Sequence, residues 1–471
     1  MYRTTRLLVL ACALAGGGLP AAAQDKDRSR IADALALEET IQDAIQRAEP
    51  SIACVLVSRS EDGRGFLPEK DDYVPEHYGS GVVIDPAGLI LTNYHVVRDG
   101  TKFYVRLPGG KAGYAAVWAA DQRSDLAVLR VDHRAGKLPA LPIGDGSRLR
   151  KGQFLISLAN PFAAGFRDGS PSASWGIVSN LRRRGPGSPN EMERSKSLYH
   201  YNTLIQTDAR LNLGCSGGAL IDLKGNLVGI TTALAAVSGS ETPGGFALPT
   251  DAGIRRIIEK LKQGEEVEYG FLGVSEDVRR ARRTEGVVLG TVMPGSPADR
   301  AGLMPGYRLL SVNGLPVNNR DDLFLHIGTQ LAGSTVRLEF RRGPDPTAPL
   351  DVKQVTLAKF PLPENKTIAT NRRKPVAGIR VDYASTLYAR ILEDRLFGGA
   401  LPRGVAVREV EPKSAADAAQ VQVDSVITHV NSKPVDRPAD FYREAANARG
   451  PVELTVLTPD GRTSRVKVEV K

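Results

Sequence analysis

At 471 residues the chain is too long for one hydrophobic core and long enough for about three domains. Hydrophobic residues at 42% and charged residues at 24% exclude a disordered chain, and no apolar run after the first twenty residues is long enough for a membrane-spanning helix. The net charge of +9 is scattered, with only Arg182-Arg183-Arg184 and Arg372-Arg373-Lys374 as runs and no nucleic-acid-binding motif, so no nucleic acid partner is expected.

In chain order, Arg3 and Arg6 precede a short apolar stretch, residues 7–19, and Ala21-Ala22-Ala23 comes next. This is the layout of a secretory signal, residues 1–23, which places the rest of the chain outside the cytoplasm; an uncleaved N-terminal anchor is the alternative. Cys12 is a poor lipidation site because bulky Leu10 stands where a small residue is wanted. Cys54 and Cys215 remain after the signal, too few for a disulfide framework, and whether they pair is left open. No CxxC or HExxH occurs and the six histidines are dispersed, so no metal site is expected.

Residues 35–48 read as an amphipathic helix stopped at Glu49-Pro50. From Ser51 onward, short β-rich runs at 52–57, 81–84, 89–92, 126–131, 154–158 and 227–232 alternate with Gly, Pro, Asn and Asp. Many short strands with frequent turns predict a mainly β fold, a barrel or sandwich. Residues 251–263 read as a closing helix with Asp251 as its N-cap. Beyond it lies a duplication: GVVLGTVMPGSPADRAGLMPGYRLLSVNGLPV begins at Gly286 and GVAVREVEPKSAADAAQVQVDSVITHVNSKPV at Gly404, predicting two copies of one domain. Between them residues 361–375 are polar and proline-bearing, as a linker would be.

Three motifs carry chemistry. In QTDARLNLGCSGGALIDLKGNLVGITT, Gly214 precedes Ser216 and two glycines come after it, so the chain can bend sharply and present the hydroxyl beside converging N–H groups. His95, in LTNYHVV at the end of a strand-like run, is the candidate general base, and Asp125, in SDLAVL, the candidate acid that orients it. Gly214-x-Ser216-x-Gly218 also fits the elbow of an α/β-hydrolase, but that fold places its acid and His after the Ser. The order His95, Asp125, Ser216 is that of a chymotrypsin-type double barrel.

Over residues 79–250 the chain resembles the HtrA/Deg serine proteases, through GSGVVIDPAGLILTNYHVV, SDLAVLRV, IGDGSRLRKGQFLISLANPF, WGIVSNL, the Ser216 segment and GGFALPTD; the repeated domain resembles PDZ modules. The resemblance implies a mainly β architecture: a signal over 1–23, a trypsin/chymotrypsin-like double β-barrel over 24–265, and two small α+β PDZ domains, 266–360 and a divergent 375–471, joined by a linker at 361–374. It implies His95 as base, Asp125 as orienting acid, Ser216 as nucleophile, and the Gly214 and Ser216 N–H groups as oxyanion hole. It further implies an ATP-independent endopeptidase of the periplasm or cell envelope that degrades unfolded or misfolded proteins, with no cofactor, assembled as a homotrimer or larger. The alternative is a chaperone or scaffold that binds unfolded chains and cleaves little.

In the first PDZ module Phe271, Leu272, Gly273 and Val274 look like the loop that holds a peptide C-terminus, with residues 321–331 as the helix lining the groove. Residues 376–379 are the analogous stretch in the second. Three departures from the family pattern stand out: Cys215 just before the nucleophile where Asn is usual, Tyr307 where Asp is usual, and a long basic loop at 181–201. That loop corresponds to one that senses peptide on the PDZ module, which makes Arg182, Arg183 and Arg184 candidates for a relay to the active site.

Overall fold

The computed structural model describes residues 21–469 apart from 62–64, 71, 133–135, 186–196, 202, 233–243, 281–284, 363–367 and 449. The expected signal thus lies largely outside the described residues. A helix spans Ala21–Ala48, longer than the pattern at 35–48 indicated. It stops where Pro50 enters a tight turn, Glu49–Ser51. Among the described residues no helix is long and apolar enough to cross a membrane.

Strands β1 (Ile52–Ser58), β2 (His77–Asp85), β3 (Leu89–Asn93), β4 (Lys102–Arg106), β5 (Ala112–Asp121) and β6 (Leu126–Val131) form one sheet in the order β5-β4-β1-β2-β3-β6, closed by pairing of β5 with β6. Alternation explains why all of β1 is buried. Val55 and Val57 fill this barrel with Val83, Ile90, Val105 and Leu129, while Cys54 and Leu56 point the other way under Phe66, Tyr104 and Phe166. Strands β7 (Phe154–Ala159), β8 (Ser172–Arg183), β9 (Leu204–Thr207), β10 (Ala219–Ile221), β11 (Leu227–Thr232) and β12 (Gly245–Pro249) close a second barrel, with Leu155, Val178, Ile205, Leu220 and Val228 among its buried residues.

A larger apolar cluster lies between the barrels and joins Val82, Leu91 and Leu126 of the first to Ile156, Leu158, Ala219, Ile230 and Leu248 of the second. The helix Ala252–Lys262 closes this seam with Ile254, Ile257, Ile258 and Leu261, all on its buried face. Asp251 caps it as expected, its carboxylate accepting the Ile254 N–H at 2.9 Å.

Two PDZ-like units complete the chain. The first contains β13 (Gly270–Phe271), β14 (Val274–Glu276), β15 (Val287–Val292), β16 (Arg308–Val312), β17 (Leu315–Pro316), β18 (Thr335–Arg341), β19 (Leu350–Thr356) and β20 (Ala358–Lys359), with a helix at Arg320–Gly328. Its main sheet runs β14-β15-β16-β18-β19, leaving β14 at the edge. Before the second unit begins, β21 (Ile368–Ala369) pairs with Ala119 and Ala120 of β5. The segment expected as a linker therefore contributes a strand that straps the chain back onto the first barrel. The second unit repeats the order with β22 (Ile379–Tyr383), β23 (Val405–Val410), β24 (Val426–Val430), β25 (Lys433–Pro434), β26 (Val452–Leu457) and β27 (Thr463–Val468), and a helix at Pro438–Ala446.

Candidate active site

His95 and Asp125 meet because β3 and β6 are neighbours. Asn93, the last residue of β3, pairs with Leu126, the first of β6, so the residue after β3 adjoins the residue before β6. The chain leaves β3 in a single helical turn, Tyr94–Val97, whose first N–H donates to the Asp125 carbonyl at 2.9 Å. Asp125 has φ 55°, a left-handed conformation that Asp tolerates better than most side chains. Here both carboxylate oxygens are engaged: Oδ1 accepts the His95 backbone N–H at 2.8 Å, and Oδ2 lies 2.6 Å from His95 Nδ1. The ring is thereby fixed with Nε2 directed away from the acid. Burial alone would lower the His95 pKa, but the Asp125 carboxylate and its hydrogen bond together hold it above the ordinary imidazole value.

Ser216 lies on the second barrel, in the turn entering β10, and the first barrel presses against that turn. Ser80, fully buried on β2, donates its N–H to the Ser216 carbonyl at 2.8 Å and its hydroxyl to the Gly214 carbonyl at 2.7 Å, while accepting the Asn160 N–H at 2.7 Å. The glycines are required by these approaches. A Cβ on Gly217 (φ 85°) would lie 2.2 Å from the Ser80 carbonyl oxygen, and one on Gly218 would lie 2.7 Å from the Ala159 Cβ. A Cβ on Gly79 would meet Val96 at 2.7 Å and the Ser216 carbonyl at 3.2 Å, so the residue after His95 and the Ser216 backbone flank the same point of β2.

The turn before Ser216 has one defined peptide orientation. Cys215 N–H donates to the Asn212 carbonyl at 3.0 Å, closing a four-residue turn whose third residue, Gly214, has φ 94°. That is a type II turn, in which the central peptide is flipped relative to type I. Its carbonyl, of Leu213, is held by the Phe162 N–H at 2.8 Å. A trans peptide directs the Gly214 N–H to the opposite side from that carbonyl. A type I turn would exchange the two faces.

Cys54 and Cys215 are both buried and unpaired. Burial pushes the Cys54 thiol up to about 12 and raises that of Cys215, whose sulfur accepts the Asn212 N–H at 3.3 Å. Neither has the depressed pKa of a reactive thiolate. Tyr307 stacks on Phe340 at 5.8 Å, a packing role for that departure.

In the first PDZ-like unit the expected peptide-binding residues lie where β13 gives way to β14. The Leu272 carbonyl accepts from Ala298 N–H at 3.0 Å and the Gly273 carbonyl from Met293 N–H at 2.9 Å. Gly273 has φ 85° and is pressed on Ser296, where a Cβ would come within 2.2 Å. Val274 opens the edge strand, and Phe271 packs on Phe360 and on Tyr388 of the second unit. The groove helix, Arg320–Gly328, is shorter than the expected 321–331. It faces the protease: Arg182 pairs with Asp322 and Arg184 with Asp321, while Tyr201 stacks on Phe324 at 5.0 Å. Thus two of the three arginines expected in the relay reach the helix, Arg182 from strand β8 and Arg184 from just beyond its end, and that strand runs further into the basic segment than its polar sequence indicated. Sequence reasoning missed Ser80 and Phe162. Of these only Ser80 carried a signal, its position between two glycines.

The description Trypsin-like peptidase domain matches residues 79–230, and PDZ domain matches residues 288–342. The periplasmic pH-dependent serine endoprotease DegQ of Escherichia coli (strain K12) is 32% identical over 400 residues, covering 83% of this chain and 80% of that protein. The chain belongs to the HtrA/DegP family of serine endopeptidases. The periplasmic serine endoprotease DegP of Salmonella typhimurium is 30% identical over 374 residues, covering 78% of this chain and 71% of that one. Among solved structures, the HtrA-type protease AlgW with a tripeptide shows 26% identity and a TM-score of 0.51, covering 69% of this chain and 99% of the other. Membership makes the chain a serine endopeptidase carrying a PDZ domain.

Proposed function

We propose that this HtrA/DegP-family chain is an ATP-independent periplasmic endopeptidase that degrades unfolded or damaged proteins, working as a homotrimer or larger assembly. The location rests on the named periplasmic relatives. The observation that carries the mechanism is that Asp125 holds the His95 ring through Oδ2 and the His95 backbone N–H through Oδ1, beside a Ser216 turn whose Leu213 carbonyl faces away. In this reading Ser216 Oγ bonds to the scissile carbonyl carbon as His95 Nε2 takes its proton. The oxyanion is held by the Gly214 and Ser216 N–H groups, and the C–N bond breaks as His95 returns the proton to the leaving amine. Water activated by His95 then releases the acyl group by the same steps. No cofactor enters.

The first PDZ-like unit is a PDZ domain that takes peptide C-termini on the Leu272, Gly273 and Val274 amides, the peptide adding as a strand to β14. Arg182 and Arg184 connect its helix to the protease, and replacing both by Ala should abolish stimulation of cleavage by hydrophobic C-terminal peptides. The second unit is a divergent PDZ domain without this role.

The deciding experiment compares the parent with Ser216→Ala on reduced casein. The parent alone should cleave, and loss of about a millionfold in kcat is expected for the variant. Cleavage by both would overturn the triad, and cleavage by neither would favour a chaperone or scaffold. Because His95 must be uncharged to accept the Ser216 proton and its pKa is raised, the acid limb of kcat/KM should lie above about pH 6.5. The His95–Asp125 contribution to stability has the opposite trend: it is fully present below about pH 6.5 and is lost as pH rises through the folded pKa.

A further inference from the structure

The Asp125 carboxylate has a third partner that the triad does not require. Tyr199 donates its hydroxyl to Asp125 Oδ2 at 2.9 Å, the same oxygen that faces His95 Nδ1. Asn93 Nδ2 donates to the Tyr199 oxygen at 3.1 Å and to the Asp125 carbonyl at 3.0 Å, so the phenol is oriented as well as placed. The ring is buried, and with Asn93 it is 0–4% exposed, in the low-dielectric seam where such a bond is strongest.

Tyr199 comes from the single turn Leu198–His200, between β8 and β9. That turn has two attachments. Inward, the Leu198 N–H donates to the Arg123 carbonyl at 2.8 Å, two residues before Asp125. Outward, the Tyr199 carbonyl accepts the Gly185 N–H at 2.9 Å, next to the Arg184 that pairs with Asp321, and Tyr201 stacks on Phe324. Both sides of this neck are therefore clamped to the helix Arg320–Gly328 of the first PDZ-like unit, and the Tyr199 side chain between them ends on the acid.

We propose that Tyr199 is a positioning residue for Asp125 and that it couples docking of the helix Arg320–Gly328 to the orientation of His95. This rests on the triad reading above. With the helix docked, the hydroxyl shares Oδ2 with His95 and fixes the carboxylate in one rotamer. When the helix releases Arg184 and Tyr201, the neck loosens, Tyr199 leaves, and Oδ2 loses one donor. Without that donor the carboxylate presents more charge to the imidazole, so His95 holds its proton to higher pH and serves less well as a base.

The test uses the full chain in four forms: parent, Tyr199→Phe, an undocked variant (Asp321→Asn with Phe324→Ala), and their combination. The substrate is a short chromogenic peptide with a blocked C-terminus, too small to engage the PDZ groove. Tyr199→Phe should lower kcat/KM about tenfold, mainly through kcat, and move the acid limb upward. The undocked variant should do the same, and the combination should be no worse than either alone. An unmoved acid limb in Tyr199→Phe, or losses that multiply in the combination, would overturn the proposal. Titration of the His95 ring by NMR in Ser216→Ala, with and without Tyr199→Phe, reads the same bond without turnover; an unchanged His95 pKa also overturns it. Failure of the triad reading would show separately, as peptide hydrolysis by Ser216→Ala itself.

Discussion

The two C-terminal units share a backbone and have parted in chemistry. Gly295, Gly302, Gly306 and Gly314 of the first all have positive φ. At the corresponding places the second has Lys413 (φ 61°), Gln420 (φ 54°), Asp424 (φ 67°) and Ser432 (φ 63°). The turns thus keep their left-handed geometry after losing the residue that adopts it freely, because the sheet order dictates where the chain must reverse. Even the close approach is kept: Gly378, like Gly273, would put a Cβ about as near to a Ser, 2.1 Å from Ser414.

The loops that would take a peptide differ more. In the first unit Phe271 pairs into β13 with Ala358, and Val274 begins an edge strand. In the second, Val376 and Ile379 exchange both backbone hydrogen bonds at 3.0 and 2.9 Å across Ala377 (φ 54°) and Gly378 (φ 84°). That is a type I′ turn closed on itself, with the Ile379 N–H consumed. The second unit instead carries an extra segment between β22 and β23. Its Leu387, Ile391 and Leu401 pack on Met293, and its Leu401 N–H donates to the Pro294 carbonyl at 2.9 Å. The second unit thus closes its turn on itself and braces the first through its extra segment.

The joint between the copies is where this comparison can be broken most forcefully. Lys359, at the end of the first unit, has a side chain only 6% exposed and lies 2.8 Å from Glu266, 3.6 Å from Glu268 and 2.8 Å from Asp382 of the second. Lys359→Ala strands three carboxylates together and should cost about 3–5 kcal/mol. Hydrogen-exchange mass spectrometry should show protection lost first between β22 and β23, with both sheets retained; unchanged protection there would mean that apolar contacts alone hold the brace.

A smaller effect separates the loops. Gly273→Ala and Gly378→Ala should each destabilise their unit by about 2–4 kcal/mol, through left-handed strain and the clash with Ser296 or Ser414. Fluorescence anisotropy with a labelled C-terminal peptide should show binding lost in the first variant and kept in the second. Loss in both would restore a binding role to the second unit.

The smallest effect concerns the lost glycines. Gln420 is exposed, so Gln420→Gly should stabilise the second unit by about 1 kcal/mol, whereas Gly302→Ala, with open space around its missing Cβ, should cost the first unit about as much. Local hydrogen exchange at β24 and at β16 reads each change.

Much of this was legible in the residues. The strands at 52–57, 126–131, 154–158 and 227–232 appear within a residue of their expected ends, because apolar β-branched runs have few alternatives. The extension of β8 through Arg183 was not legible, since its polar end gains order from Asp322 across a domain boundary. The pairing of β21 with β5 was equally hidden, because a two-residue strand carries no pattern of its own.

The sequence by itself determined the chain order His95, Asp125, Ser216, the glycines around the serine and the duplicated units, since each is a local arrangement that chemistry or a turn demands. Only the tertiary structure decided what surrounds them. Tyr199 and Asp125 are separated by 74 positions, and Ser80 and Gly214 by 134. The orientation of the Leu213 peptide depends on Phe162, which reaches it from another loop. Hydrogen bonds between such distant partners leave no periodicity in either segment, because the register of two closed barrels, not the spacing along one strand, brings them together.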